Sequence, residues 1–314
     1  MSWWRRDKFD QEELDEELSK SREQDQIHQS GELMLEGDAI EDDPTEVKFQ
    51  ELPDVLLEES DQKKRIKEFK STPEYLAIMS KYPDSRYARF CQVDSDFIFK
   101  FLVDANWKVK RAVRNFVAMM EWRESVSADE AFSWRFDVDS IRRHYTQCFL
   151  GFDKFGAPVY MERIGGLDVK GVLGVVNSEE FLRYHILHWE FIHRVLFPIA
   201  SARAGRKITQ VISIVDVSGL GRSHLQAAVF DILKNLAKVD QEMFPESGAK
   251  LYVVNVPWIF KAVWKLIRPL LSAKGKRAIE VVRGDCKKVL LEKVFDLESL
   301  PEVLGGSAPW GQSE

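Results

Sequence analysis

An α/β fold is what this 314-residue sequence predicts, with a small helical unit ahead of a domain built on a mostly parallel sheet. Three observations lead there. Apolar residues recur at helical spacing between about residues 61 and 130. Beyond residue 145, short β-branched apolar runs alternate with helical stretches. Those runs are nearly continuous in apolar character, as strands covered on both faces are.

The first sixty residues hold 20 acidic and 6 basic side chains, against 31 and 39 in the remainder. Residues 1–60 therefore read as a solvated acidic tail on a mildly basic body, available to a protein partner. Alternatively, "LPDVLLEES" docks locally on that body. A helical module is expected over 61–130. "DQKKRIKEFKSTPEYLAIMSKY" breaks at Thr72-Pro73, where Pro suits a new first turn and Ser71 or Thr72 a cap. Asp94 or Ser95 can cap a short helix bearing Phe97, Ile98, Phe101 and Leu102. Asn106 is expected to open another, carrying Val109, Val113, Phe116, Val117 and Met120 to about residue 126.

The second domain is expected over 139–314. "YTQCFLGFDKFGAPVYMERIGG" predicts two strands joined at Asp153–Gly156. A long helix comes next, capped by Asn177 or Ser178 with a Glu at the third helical position. "KITQVISIVDVSGLG" is a strand ending in a glycine turn, and it feeds the helix "SHLQAAVFDILKNLAKVDQEMF". Leu251–Asn255 is a further strand, Pro257–Leu271 a helix, "AIEVV" a short strand and "CKKVLLEKVF" the closing helix. No internal repeat is present.

Several function classes find no support. No apolar run approaches the eighteen residues of a membrane span, and the N-terminus lacks the apolar core of a secretory signal. Cys91, Cys148 and Cys286 are odd in number and widely spaced, which suits a reducing compartment and a cytosolic protein. His185, His188 and His193 share one helix; two could meet on a face, but no third ligand or His-Glu-x-x-His pattern accompanies them, so no metal is assigned. Gly219 and Gly221 lack the third glycine of a dinucleotide loop, and a tight strand-to-helix turn explains them. Asp216 would cap that turn or serve a site. No nucleophile, base and oxyanion donor assemble, so no catalytic residue, enzyme activity or cofactor is assigned. No groove-reading motif or stacking platform suggests nucleic acid.

One helix is unusual. In "PWIFKAVWKLIRPLLSAKGKRAI", Trp258, Ile259, Ala262, Val263, Leu266, Ile267, Leu270 and Leu271 recur as adjacent pairs, opposite Lys261, Lys265 and Arg268. Such a helix either packs on the sheet with its basic chains extended into water, or covers an apolar cavity and touches an anionic membrane surface.

From about residue 90 to 306 the chain resembles the CRAL-TRIO lipid-binding family, in particular its phosphatidylinositol-transfer branch. Five ordered stretches carry the resemblance: "FIFKFLVDANWKVKRAVRNFVAMMEWRE", "GFDKFGAPVYMERIGG", "LFPIASARAGRKITQVISIVDVSGLG", "FPESGAKLYVVNVPWIFKAVWKLIRPLL" and "LPEVLGG". The resemblance implies a helical domain beside an α/β lipid-binding domain with a gating helix, and one phospholipid or similar hydrophobic ligand transferred between membranes. It implies a pocket lined by Phe149, Tyr160, Val211, Ser213, Val215 and Val253 and by Trp258, Val263 and Ile267 of the gating helix. Lys261, Lys265 and Arg268 would face an anionic membrane. Glu246 matches the family's inositol-contacting carboxylate. Lys100 remains of the headgroup bases, whereas Val103, Ala105 and Asn106 replace others, and a further lysine falls at Ala278, where Arg277 or Lys276 could substitute. Tyr160 and Ser213 match hydroxyl positions for phosphatidylcholine; Phe149 and Val211 replace two more. A neutral, zwitterionic or sterol-like ligand therefore competes with phosphatidylinositol. A protein in transient contact with membranes is expected, or else a regulatory module whose bound lipid signals to a protein partner.

Overall fold

The computed structural model describes residues 57–309; the acidic stretch 1–56 lies outside them. Five helices come first. Helix α1 (Glu59–Lys70) and α2 (Pro73–Lys81) meet at the expected break, where the Thr72 hydroxyl accepts from the Tyr75 amide at 3.4 Å and Pro73 opens the turn. Helix α3 (Arg86–Val93) fills a stretch for which the sequence pattern predicts no element. Its buried face is only Tyr87, Ala88 and Cys91, too short a repeat to stand out in the sequence. Helix α4 (Asp96–Asp104) starts after Ser95, with the Asp94 carboxylate accepting from the Asp96 amide at 2.9 Å.

Helix α5 (Val109–Val126) begins later than expected. Asn106 does not open it: Asn106 and Trp107 both take left-handed conformations, with φ of 51° and 60°, and form the link. Asn tolerates that region better than most residues because its short side chain bonds locally. Phe69, Ile98, Phe101, Leu102, Phe116 and Met120 interlock among these helices. The same core continues into Leu182, Ile186 and Phe244, so the module packs directly against the sheet-bearing part of the chain.

A short helix, α6 (Val138–His144), leads to strands β1 (Gln147–Phe152) and β2 (Pro158–Arg163). Their turn is tied by Asp153, whose carboxylate accepts from the amides of Phe155 and Ala157 at 2.9 and 2.7 Å. Helix α7 (Val169–Val175) has no counterpart among the expected elements. Helix α8 (Ser178–Phe191) carries the expected capping box of Asn177 and Glu180. The long helix is not uniform: a π-turn spans Ile192–Leu196 before α9 (Phe197–Ala204). Pro198 explains this, because its ring removes a donor and crowds the carbonyl one turn back, and a widened turn relieves both.

Strands β3 (Val211–Asp216), β4 (Gly248–Val254) and β5 (Ile279–Val281) complete the sheet, with α10 (Ala227–Glu242) between β3 and β4. Helices α11 (Phe260–Ile267) and α12 (Ala273–Ala278) connect β4 to β5, and α13 (Cys286–Lys293) comes after β5. Strand order is β1-β2-β3-β4-β5, antiparallel at β1/β2 and parallel elsewhere. One face, through Val159, Met161, Ile214, Tyr252 and Val254, is sealed by Leu290, Phe295 and Leu300.

Asp216 caps its turn, the first of its two readings: its carboxylate accepts from the Ser218 amide at 2.9 Å, from Asn255 Nδ2 at 3.0 Å and from Arg163 Nε at 3.3 Å. It thus ties the ends of β2, β3 and β4 together. The glycines nearby answer to space. A Cβ on Gly165 would lie 2.0 Å from the Ser218 carbonyl oxygen, and Gly219 has φ of +84°.

Candidate functional site

The register places the sequence-derived pocket residues in two rows on the second sheet face. Phe149 pairs with Tyr160, Tyr160 with Ser213, Ser213 with Leu251 and Leu251 with Ile279. The next row runs Gln147, Glu162, Val215, Val253 and Val281. Because side chains alternate across a strand, these rows share a face opposite Met161, Ile214 and Tyr252. The two faces differ in closure. Met161 and Ile214 have no accessible surface, whereas Tyr160, Glu162, Ser213, Val215, Leu251 and Val281 are half-buried, although three of the strands they sit on are interior. Val211 is buried at the start of β3, beside Phe149 and Tyr160 and against Leu196 and Phe197.

Helix α11 lies over the β4 end of this face. Val263 is buried with Val253, Leu220, Leu225 and Phe230, and Ile267 packs at the edge of the same cluster. Trp258 departs from expectation, being 54% exposed. The helix begins at Phe260, not Pro257, so Trp258 falls in the preceding turn and outside the helical phase. It lines an outer groove of about 530 Å³ with Pro257, Lys261, Trp264 and Arg283. Phe260 and Trp264, stacked at 6.0 Å, are buried in its place, a one-turn pair that the adjacent-pair pattern passes over. The helix also ends early, at Ile267, because Pro269 cannot continue it. Lys261, Lys265 and Arg268 are exposed.

Glu246 sits in a left-handed conformation, φ 54°, and pairs with Lys274 at 2.9 Å. Lys274 also donates to the Val103 carbonyl at 2.8 Å. Neither Ala278 nor its basic neighbours fill the place beside the carboxylate; the start of α12 does. Lys100 is engaged inside the protein. Its ammonium donates to the Thr209 carbonyl at 2.5 Å and Ser247 Oγ at 3.1 Å, and burial pushes its pKa down to about 7. His193 shares Ser247 at 3.0 Å, and burial holds its ring well below the ordinary range.

A polar cluster closes the β1/β2 side. His185 bonds Asp240 at 2.6 Å, and Trp189 Nε1 donates to the same carboxylate at 2.7 Å. Burial would lower the His185 pKa, but Asp240 beside it prevails and raises it. Burial raises the Glu162 carboxyl, which accepts from Gln147 Nε2 at 3.2 Å. His188 lies between Tyr160 and Tyr184, with ring centroids 5.6 and 4.4 Å away, and burial pushes it down to about 3. The Tyr160 hydroxyl, His188 Nδ1 and Gln147 Oε1 are buried without a hydrogen-bond partner. Of these three, sequence reasoning points to Tyr160 alone. Among the described residues no group of histidine, cysteine or carboxylate side chains has metal-binding geometry, and no helix is long and apolar enough to cross a membrane.

Comparison with known proteins gives a consistent picture. The family model described as the CRAL/TRIO domain matches residues 142–306. The chain is 30% identical over 217 residues to the phosphatidylinositol/phosphatidylcholine transfer protein SFH12 of Arabidopsis thaliana, covering 68% of this chain and 40% of that one. It is 31% identical over 221 residues to SFH14 of the same plant, which carries the same description, covering 68% and 37%. The chain thus spans about two fifths of those relatives' length. The Sec14 cytosolic factor of Schizosaccharomyces pombe is 25% identical over 218 residues, 69% of this chain and 76% of that one. In three dimensions the crystal structure of Sfh5 superposes with a TM-score of 0.63 at 17% identity, covering 80% of this chain and 88% of the other.

Proposed function

Because this chain belongs to the CRAL/TRIO domain family, we propose that it is a lipid carrier, holding one phospholipid or similar hydrophobic molecule over the half-buried sheet face and exchanging it at membranes. The observation that carries the reading is the contrast between the two sheet faces. The Met161–Ile214–Tyr252 face is filled by the chain's own side chains. The Tyr160–Ser213–Leu251 row keeps accessible surface in the middle of the sheet, between α8–α9 on one side and α11 on the other. An apolar face opened there would suit acyl chains, whose roughly thirty methylenes each gain about 0.8 kcal/mol out of water. Such a ligand leaves into a bilayer far more readily than into solvent. The names of the transfer-protein relatives support the same reading, as does the row of exposed cations on α11, which suits an anionic membrane surface. No step of this function asks for bond-making chemistry. Glu246, Lys274 and Lys100 make a weaker inositol-phosphate site than a full set of bases would, since Lys100 is already bonded inside the protein.

Native mass spectrometry of the purified chain tests the proposal. The expected spectrum carries one lipid-sized adduct, and labelled lipid should pass between vesicles faster in the protein's presence. Val263→Trp, which crowds the cluster between α11 and β4, should abolish uptake with the fold retained. A protein that is empty under gentle conditions and moves no lipid would exclude the carrier.

A further inference from the structure

We infer that the β1/β2 side of this pocket is a subsite for a free hydroxyl group, so that the chain takes an uncharged lipid alcohol, such as a sterol or a diacylglycerol, with its polar end buried against Tyr160, His188 and Gln147. This rests on the carrier reading above and concerns which lipid that carrier accepts.

The starting point is three buried polar atoms with no partner in one place. Tyr160 Oη, His188 Nδ1 and Gln147 Oε1 are each sealed from solvent and unbonded. An unsatisfied buried polar atom costs about 1–3 kcal/mol, so three together in one wall call for a polar group that completes them. They are neighbours. The Tyr160 and His188 rings are 5.6 Å apart, Phe149 stands opposite Tyr160 on β1, and Gln147 lies two residues along the same strand face, opposite Glu162. Tyr160 and Gln147 stand on the half-buried face, and His188 packs over it from α8.

The chemistry of the three atoms selects the group. Tyr160 can donate or accept, and Gln147 Oε1 only accepts. Nδ1 of a neutral His188 either accepts or donates, depending on the tautomer. A hydroxyl matches this set, because it gives one hydrogen bond and takes two. A trimethylammonium group would find aromatic walls in Tyr160, Tyr184 and His188, but it offers no hydrogen to Gln147 Oε1 and takes none from Tyr160. A phosphate diester is also without a donor. It would lie beside the Glu162 carboxyl, and of the cationic groups that act on this wall Arg142 is bonded to Tyr184 and His185 to Asp240. His188, pushed down to about 3, supplies no compensating charge. A buried phosphate without cationic partners is strongly disfavoured. With the hydroxyl held here, the apolar body of the ligand runs along Ser213 and Val215 towards Val253 and α11.

The experiment uses the full chain and phosphatidylcholine vesicles doped with either of two probe pairs. One pair is a sterol with its free hydroxyl and the same sterol as its methyl ether. The other is a diacylglycerol and its acetylated form. Wild type should extract each free alcohol about tenfold better than its capped partner, a factor equal to about 1.4 kcal/mol. Tyr160→Phe, which keeps the ring, and His188→Leu should each erase that preference, bringing the ratio of free to capped extraction to about one. Equal extraction of free and capped probes by wild type would overturn the subsite, as would a preference that survives both substitutions. Uptake of phosphatidylcholine with none of either alcohol would also overturn it and leave the carrier standing. If wild type extracts no lipid of any kind, the carrier reading itself falls.

Discussion

Lys100 keeps its ammonium group in the protein interior, 6% exposed, bonded to one carbonyl and one hydroxyl. Burial lowers its pKa from 10.5 to about 7, with Asp96 and Glu246 opposing the fall. A depressed lysine means that the folded protein binds the proton less tightly than the unfolded chain. Stability therefore rises with pH between about 7 and 10.5, with a slope of at most about 1.4 kcal/mol per unit. The pH-dependent part of the urea stability should disappear in Lys100→Met, so that wild type gains on the variant between pH 7 and pH 9. A constant difference would mean that Lys100 is not buried in this way. Glu246 shows what can and cannot be read at this scale. The resemblance singles out Glu246, but its ion-pair partner was not legible. Lys274 reaches it only because Pro269 ends α11 and the chain turns at Ser272, whose hydroxyl caps α12 by accepting from the Gly275 amide at 3.0 Å. No spacing rule in the sequence carries that turn.

Helices and strands were the most legible level. The Asn177 capping box, the Thr72-Pro73 break and the Asp153 hairpin all act within a few residues, so local chemistry determined them. Misreadings occurred where a distant constraint prevailed. Proline shortened α11 and widened the turn after α8, and Trp258 left the helix with its first turn. Helices α3 and α7 bury too few residues to show a period. At this scale the exposed cations of α11 make a test of membrane docking. Lys261→Glu, Lys265→Glu and Arg268→Glu together should weaken sedimentation with phosphatidylserine vesicles by on the order of a hundredfold, at about 1 kcal/mol per cation. Neutral vesicles should show little change, and equal binding to anionic vesicles would rule out this face as the contact.

Across the whole molecule, a buried charge network joins the helical module to the sheet-bearing part. Glu190, with no accessible surface, takes Arg123 and Arg194 at 2.7 Å each. Asp129 holds Arg123 at 2.7 Å, and the Arg123 guanidinium lies 3.5 Å from the Tyr87 ring centre. Within the sequence Glu190 is one acidic residue in an aromatic helix, and nothing marks it as interior. Arg194 stands four residues on in the same long helix, but Arg123 lies 67 residues away, so only the folded arrangement reveals the network. Removing the shared carboxylate leaves Asp129 alone to balance two buried cations. Glu190→Leu should cost about 3–5 kcal/mol in chemical denaturation, more than most single substitutions. A loss under about 1 kcal/mol would show that water reaches the network.

The strand order across the sheet bears on where the proposed carrier could hold a guest. Open α/β sheets usually offer a ligand the crevice where strand order reverses and neighbouring helices part to opposite sides. Here the order never reverses, and the connections through α7–α11 pack on the same side as Tyr160 and Val253. No natural cleft arises at the strand tips. In the proposed carrier, room for a guest would come from a connecting helix moving off the sheet, and the helix that made the room would also be the one that moved to release it. Entry and enclosure are then two positions of one element. A cargo carrier needs that arrangement, whereas an enzyme built around a fixed crevice does not.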